Sequence, residues 1–559
     1  MNAVLAGLPA YAQTPQLPSP LSTNLPHDVY LEVEVNGQRT SMIAQFRELN
    51  GHLAAKGKDL DNIGLALDRL GIADTVEVQL DSIGGLRYTY DAARQTVSLE
   101  IPDNLRKPYT FNTRAQARTP PATSSRGLLI NYDAYAQSST DAQLAIWSEE
   151  RYFDPTGVFS NTGIMYLYRN DRRYTRYDTS WSMSDPVALD TKQFGDTISS
   201  SLAWSRSVRI GGFQWRSNFA LRPDLVTFPV PAFAGSAVVP SSVDLYINSV
   251  RQYSGNVPSG PFIVNNVPGI TGGGQATVIT RDALGRTVAT SLPLYVDTRL
   301  LATGLSSYSF EAGFLRRSYG LDSFDYDPRP AVSGSARYGV NDLLTVEAHT
   351  EATSGLYNAG GGALVRLGMA GVVNGSLSAS AGRLAGTQAS LGYELVEPHF
   401  SIDAQTIRAF GNYGDLAARD GTPVPTATDR VTLALPLFAS QTFSVSYIGF
   451  KFPQAQPSQI GSASYTVNFG NLASLNLSAY QDFKQHDSRG VFLSVSFSLG
   501  RNTSVNANVG RQNGQSNYNV NATRPPTTTA AGVGACRPVT RAPRLIARHR
   551  CSISARAAR

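Results

Sequence analysis

The sequence predicts a mainly β protein: a large transmembrane antiparallel β-barrel, interrupted by an inserted β-sandwich and preceded by a small N-terminal α+β domain. Three observations lead there. From Gly127 onward, segments of about ten residues alternate small or polar with apolar or aromatic side chains, as barrel strands do. Charged residues make up only 16% of the 559, while glycine (49), tyrosine (26) and phenylalanine (23) are frequent. No apolar run approaches the roughly 18 residues of a membrane-spanning helix. A closed barrel is the other arrangement that satisfies the backbone in lipid.

The elements follow in order. Ala3-Val4-Leu5-Ala6-Gly7-Leu8 is apolar, and Ala10-Tyr11-Ala12 before Gln13 fits a small-x-small cleavage site. No positive n-region precedes them. Residues 1–13 therefore read as the remnant of an export signal, with a disordered apolar terminus as the alternative. Residues 14–102 form the N-terminal domain. After a stretch rich in Pro, Ser and Thr, VYLEVEVNG (29–37) alternates with period two and ends in Asn36-Gly37, a hairpin signal. Residues 59–70 predict a short helix, and 76–80 and 96–101 alternate again. Residues 103–125, with Pro120-Pro121 and Ser124-Ser125, read as a linker.

The first barrel strands are expected over 126–237 and further strands over 297–523. Tyr308, Phe310, Ala312 and Phe314 stand against Ser309, Glu311 and Gly313; Leu344, Val346 and Ala348 against Thr345, Glu347 and His349. Phe443, Val445 and Tyr447 flank Ser444 and Ser446. Leu475, Leu477 and Ala479 alternate with Ser474, Asn476 and Ser478, and Val491 to Leu499 with Ser494, Ser496 and Ser498. A soluble sandwich would carry more Lys and Glu on its polar face; here that face is Ser, Asn, Gly and Thr. Roughly six segments fall between 127 and 220 and roughly fourteen between 305 and 523, enough to enclose a wide lumen.

The interruption opens with Pro223, Pro229 and Pro231, a density that breaks a central strand. Short β runs follow at 242–248, 262–264, 276–280 and 288–290, with a turn at 282–285. Residues 238–296 are thus a separate β domain. At the far end, 524–559 is a basic tail with no strand signal. Its eight arginines exceed the whole chain's net charge of +6, which leaves residues 1–523 at −2. The body lacks the clustered positive charge that nucleic-acid binding needs.

No catalytic chemistry is legible. The only cysteines, Cys536 and Cys551, lie in the tail. Histidines at 27, 52, 349, 399, 486 and 549 lack metal-ligand spacing. Gly272-Gly273-Gly274 is not followed by Lys-Ser/Thr, so it reads as a loop and not a phosphate cradle. There is no nucleophile elbow and no HExxH. No catalytic, cofactor-binding or metal-binding residue is assigned, no cofactor is expected, and an outer-membrane hydrolase has no constellation behind it. Glu149, Glu150 and Arg151, with Arg169, Asp171, Arg172 and Arg173, read as a wet loop or turn, or as pore lining.

Several stretches carry a family likeness. Leu221-Arg222-Pro223-Asp224 with FPVPAFAGSAVVPSSVDLYIN (228–248), PSGPFIVNNVPGITGGG (258–274), TRDALGR (280–286) and LPLYV (292–296) resembles the fimbrial, chaperone–usher pathway, outer-membrane usher family. Gly195-Asp196, Trp204 with Gly211-Gly212-Phe213, and VYLEVEVNG are similar to ushers too, so the likeness covers about 28–523. It implies a multi-pass pore in the bacterial outer membrane that exports pilus subunits without ATP, driven by strand exchange between subunits. The N-terminal domain would lie in the periplasm and receive chaperone–pilin complexes, with Leu25, Val29, Tyr30 and Leu31 as contacts. Residues 238–296 would be the plug, gated at flanking linkers by Phe233, Ala234, Gly235, Val296, Asp297 and Thr298. The implied partners are chaperone–pilin complexes, pilus subunits and outer-membrane lipid, with no nucleic acid; the resemblance also admits a homodimer.

The sequence departs from the family in two places. The N-terminal domain has no cysteine, which suggests a distant, archaic subtype. After Asn521 the remaining strands and two C-terminal domains of a complete usher are missing, so the chain reads as C-terminally truncated, its tail a shifted reading frame or a genuine basic extension. An open edge is untenable in lipid, which puts closure and secretion in question. A passive porin is the competing function, although a porin needs no domain ahead of its barrel.

Overall fold

The computed structural model describes residues 26–554, apart from 113–123, 138–142, 169–171, 231, 238–240, 249, 258–259, 266–270, 283–286, 420, 439, 471, 500–502, 525–532 and 542–547. The expected export signal and Leu25 lie outside the described residues. Among the described residues no helix is long and apolar enough to cross a membrane.

The N-terminal domain is a six-stranded sheet over two short helices, Gly57–Ile63 and Leu67–Leu70. One helix was expected over 59–70; Gly64, with φ of 105°, splits it in two. The hairpin at Asn36-Gly37 forms as expected. Both residues take positive φ (50° and 78°), and Val35 pairs with Gln38 across a two-residue turn. Alternation in His27–Val35 sends Leu31, Val33 and Val35 inward onto Phe46, Leu53, Leu60, Val97 and Leu99. Each fully buried side chain of this size contributes about 1.5–3 kcal/mol, enough for a domain with its own core.

From Gly127 the chain builds one closed antiparallel barrel. Six strands precede the insert, from Gly127–Gln137 to Arg209–Ser217, and fourteen follow it, from Ser306–Arg316 to Gln515–Arg524. The wall alternates as the sequence predicts. Phe310, Phe314, Val346, Leu377 and Val445 face outward and are exposed, whereas Ser309, Glu311, Thr345, His349 and Ser376 are buried on the inner side. The expectation for the tail is corrected. Val533–Arg541 and Arg548–Ser554 are strands, and the latter pairs with Gly127–Gln137 through Ser552–Tyr135 and Ile553–Ala134 to close the ring. Pairing with the neighbouring strands, and not apolar alternation, makes these segments strands.

Barrel strands Arg209–Ser217 and Ser306–Arg316 are neighbours in space, so the insert leaves and rejoins the wall at one place. Gly212 and Gly313 face each other across this seam. A Cβ on Gly212 would lie 2.2 Å from the Ala312 carbonyl oxygen, so the strands approach this closely only with glycine there.

The insert holds a four-stranded sheet, with Ser241–Ile247 between Val250–Val257 and Gly272–Asp282 and with Thr287–Val296 at the edge. Gly272-Gly273-Gly274 starts a strand instead of forming the expected loop. A second sheet joins Phe233–Ala237 to Gly260–Asn265. Its third strand is Tyr109–Asn112, from the segment expected to be a plain linker, paired in parallel with Phe262, Ile263, Val264 and Asn265. Ser236 Oγ donates to Asp103 at 2.5 Å beside this junction.

Candidate functional site

The site is the barrel lumen with the two segments that fold into it and the domain hung at its mouth. The first segment, 199–208, connects strands Asp190–Ile198 and Arg209–Ser217. The Ser200 amide donates to Glu311 at 3.1 Å, and Trp204 Nε1 donates to Glu347 at 3.0 Å. The Trp204 ring stands edge-on to His349, with centroids 5.9 Å apart, and Gln388 holds the Trp204 carbonyl at 2.7 Å. Trp204 is thus a buried anchor on the inner wall, with a polar partner for its only N–H.

The second segment, 412–426, lies between strands Ser401–Gly411 and Ala427–Phe438 and contains the helical turn Leu416–Arg419. Tyr413 OH accepts from Asn358 Nδ2 and shares a hydrogen bond with Ser378, both at 2.9 Å. The Leu416 amide donates to Glu351 at 2.8 Å. The two segments meet at Arg206, whose guanidinium forks onto Asp415 at 2.5 and 2.7 Å and reaches the carbonyls of Thr422 and Pro423. Such a bidentate pair fixes orientation as well as proximity. Glu311, Glu347 and His349 are polar positions predicted from alternation, and Glu351 continues the same buried face. What alternation could not show is that they receive loops arriving from across the lumen.

Toward the insert, a charged cluster lines the inner wall: Arg337 pairs with Glu347 at 2.8 Å, Arg299 with Glu394 at 2.6 Å and Arg430 with Asp403 at 3.0 Å. The insert meets the barrel here. Tyr295 packs with Leu300, Leu364 and Val372, its hydroxyl accepts from the Val396 amide at 3.2 Å, and its carbonyl takes a hydrogen bond from Arg366 at 3.1 Å.

The expected gating residues divide. Phe233, Ala234 and Gly235 are not linker; they lie in strand Phe233–Ala237, and Phe233 is in the insert's core with Val243, Leu245 and Val264. Val296 is buried at the end of its strand, Asp297 is held by Arg299 at 2.9 Å, and Thr298 is exposed. The first group was misjudged because Pro229 and Pro231 suggest a connection that ends later than it does. In the N-terminal domain, Leu31 is core, Val29 packs against that core, and Tyr30 is 62% exposed. Ile43, equally exposed on the same face through its pairing with Glu32, was not foreseen. Glu149, Glu150 and Arg151 lie within strand Gln143–Asp154, not in a loop; Glu149 accepts from Asn131 and Arg151. Among the described residues no group of His, Cys, Asp or Glu could hold a metal ion.

A wide closed barrel, interrupted by a folded β domain and preceded by another, defines a β-barrel protein of the outer-membrane type with an inserted domain. Residues 189–394 match the family model described as outer membrane usher protein. The chain is 27% identical over 418 residues to the usher FanD of Escherichia coli, covering 69% of this chain and 51% of FanD. It is 28% identical over 194 residues to the usher FimC of Bordetella pertussis, covering 33% of this chain and 22% of FimC. Among solved structures, it superposes on a chain of the E. coli P pilus tip assembly intermediate PapC-PapD-PapK-PapG with a TM-score of 0.57 at 15% identity, covering 94% of this chain and 74% of that one. Over these residues the chain is similar to the outer membrane ushers, and its fold is that of a large outer-membrane β-barrel. It spans about half the length of FanD and less of FimC.

Proposed function

We propose that this chain is the pore and assembly platform of a pilus. The N-terminal domain receives periplasmic chaperone–pilin complexes, subunits pass through the lumen, and the insert closes the channel when nothing is in transit. One observation carries the reading: a β domain, with its own core of Val243, Leu245, Phe262 and Val278, is inserted at a single seam of the barrel wall. A passive pore has no use for it, nor for the separately folded domain ahead of the barrel.

In this reading Val296, Asp297 and Thr298 form the hinge by which the insert moves. Tyr30 and Ile43 offer the N-terminal domain's apolar contact, with Val29 and Leu31 holding that strand from beneath. The role is assembly, not bond-breaking chemistry. Two measurements test it. Full-length protein in proteoliposomes should capture a chaperone–pilin complex, and absence of capture would favour the porin. Deleting 238–296 should raise passive solute flux through the reconstituted barrel; unchanged flux would remove the closing role.

A further inference from the structure

The outer wall carries a groove that no function above uses. Val445, Ala463, Ala479, Val491 and Arg511 are successive register partners across five strands, so they form one row on one face. That face is the outer one, where Leu477, Leu493 and Val509 are exposed in phase with this row. The two alanines make the floor low. One step nearer the rim, Gly461, Gln481 and Arg489 form the next row. The ring of Phe483 overhangs Gly461; a Cβ there would lie 2.8 Å from it. The result is a groove of about 780 Å³, apolar in its floor, with Arg489 and Arg511 at one edge and no acidic residue in its lining. Ala479, Phe483, Val491, Arg489 and Arg511 are all exposed. Asp482 alternates to the inner side and is buried; Asp487 lies in the adjoining turn 483–488.

The level in the membrane follows from the connections. At the end of the barrel that carries the insert and receives the N-terminal chain, connections are short, as at 342–343, 367–371 and 397–400. Segments 199–208, 317–325 and 412–426, all at the other end, are long. Short turns face the periplasm and long loops the exterior. The turns 483–488 and 513–514 flanking both arginines are at the exterior end, so the guanidiniums lie at the headgroup level of the outer leaflet.

We propose that this groove binds a phosphorylated glycolipid of the outer leaflet, with an acyl chain on Ala463 and Ala479 under Phe483 and phosphate on Arg489 and Arg511. The inference rests on the outer-membrane reading. Apolar floor, cationic edge and absence of carboxylate together fit an anionic amphiphile: arginine forks match phosphate oxygens, and basic residues at membrane level bind anionic headgroups.

The test reconstitutes the full chain into phosphatidylcholine vesicles containing a bisphosphorylated, acylated glucosamine disaccharide, then counts lipid retained after detergent extraction by native mass spectrometry. Heat-modifiable migration of the barrel is checked first. The native chain should retain the bisphosphorylated lipid over its dephosphorylated form and over phosphatidylglycerol. Arg489→Ala with Arg511→Ala should lower retention on the order of tenfold. Ala479→Phe, which fills the floor and leaves both charges, should lower it as well, whereas Lys484→Ala in the neighbouring turn should not. Equal retention by the double variant, equal retention of phosphatidylglycerol, or a second copy cross-linked over Ala479 in place of lipid would each overturn the proposal. A chain that inserts but holds no glycolipid defeats this inference alone; a chain that never becomes heat-modifiable defeats the membrane reading with it.

Discussion

The two sides of the lumen are built differently. Along strands Ser306–Arg316 to Ser401–Gly411 the inner wall carries Glu311, Glu347, His349 and Glu351, and each receives a group from the segments 199–208 or 412–426. Along Gln441–Lys451 to Arg489–Leu499 the inner wall is Ser444, Ser446, Ser464, Asn476 and Ser494, whose hydrogen bonds run sideways within the wall, as from Ser444 to Ser464 at 2.7 Å and from Asn476 to Thr466 at 2.9 Å. One side is a mooring for inward-folded chain. The other is a smooth, mostly neutral lining, whose buried charge among the described residues, Asp482 at the strand end, is taken up by Ser458 within the wall. The same period-two pattern produces both, and only the identity of the polar residue separates them.

The largest way to break this contrast is to remove the mooring's cargo. Replacing 200–207 by a short Gly-Ser turn should raise single-channel conductance severalfold, because a segment that crosses the lumen is gone; planar-bilayer recording measures it. Next is Arg206→Ala. It leaves Asp415, whose side chain is 9% exposed, without its guanidinium. A loss of about 1–3 kcal/mol is expected, less than for a fully buried pair because Arg206 is 28% exposed. It should show as frequent brief openings, with Arg206→Lys intermediate. The smooth side should resist change. Ser446→Ala with Ser464→Ala is expected to move neither conductance nor thermal stability beyond about 0.5 kcal/mol.

The smallest effect lies outside the barrel. In the N-terminal domain His52 and Tyr88 both hydrogen-bond Asp81, at 2.9 Å, and hold its carboxyl below the usual carboxylate value. A depressed folded-state value means the stabilisation is fully present above the unfolded value and is lost as pH falls through the folded one. Asp81→Asn should therefore leave stability near pH 7 slightly lower and flatten the loss below about pH 4, measured as acid unfolding by circular dichroism.

The barrel itself was legible, because lipid on one side and water on the other force an alternation that survives without alignment. Roughly six and fourteen segments were expected, and six and fourteen strands form before residue 525. What failed shares one cause: pairing that depends on a distant partner. Val533–Arg541 contains Pro538 and Arg537 and has no apolar period, and it is a strand only because Gln515–Arg524 offers an edge. Tyr109–Asn112 is four residues long, and its partner lies some hundred and fifty positions on. Phe233 was placed in a connection because local proline outweighed a core whose other members come later in the chain. The two lumen segments carry no pattern of their own; Trp204 alone stood out, and its partner Glu347 could be placed on a face but not opposite it.

The parallel pairing of Tyr109–Asn112 with Gly260–Asn265 has a mechanical consequence. A strand that precedes the barrel is part of the sheet of a domain inserted into the barrel, so the two bodies are geared. The insert cannot travel without either dragging the chain ahead of the wall or unzipping four register pairs. A displacement of the insert and a displacement of the chain ahead of the barrel wall are then a single event read at two points.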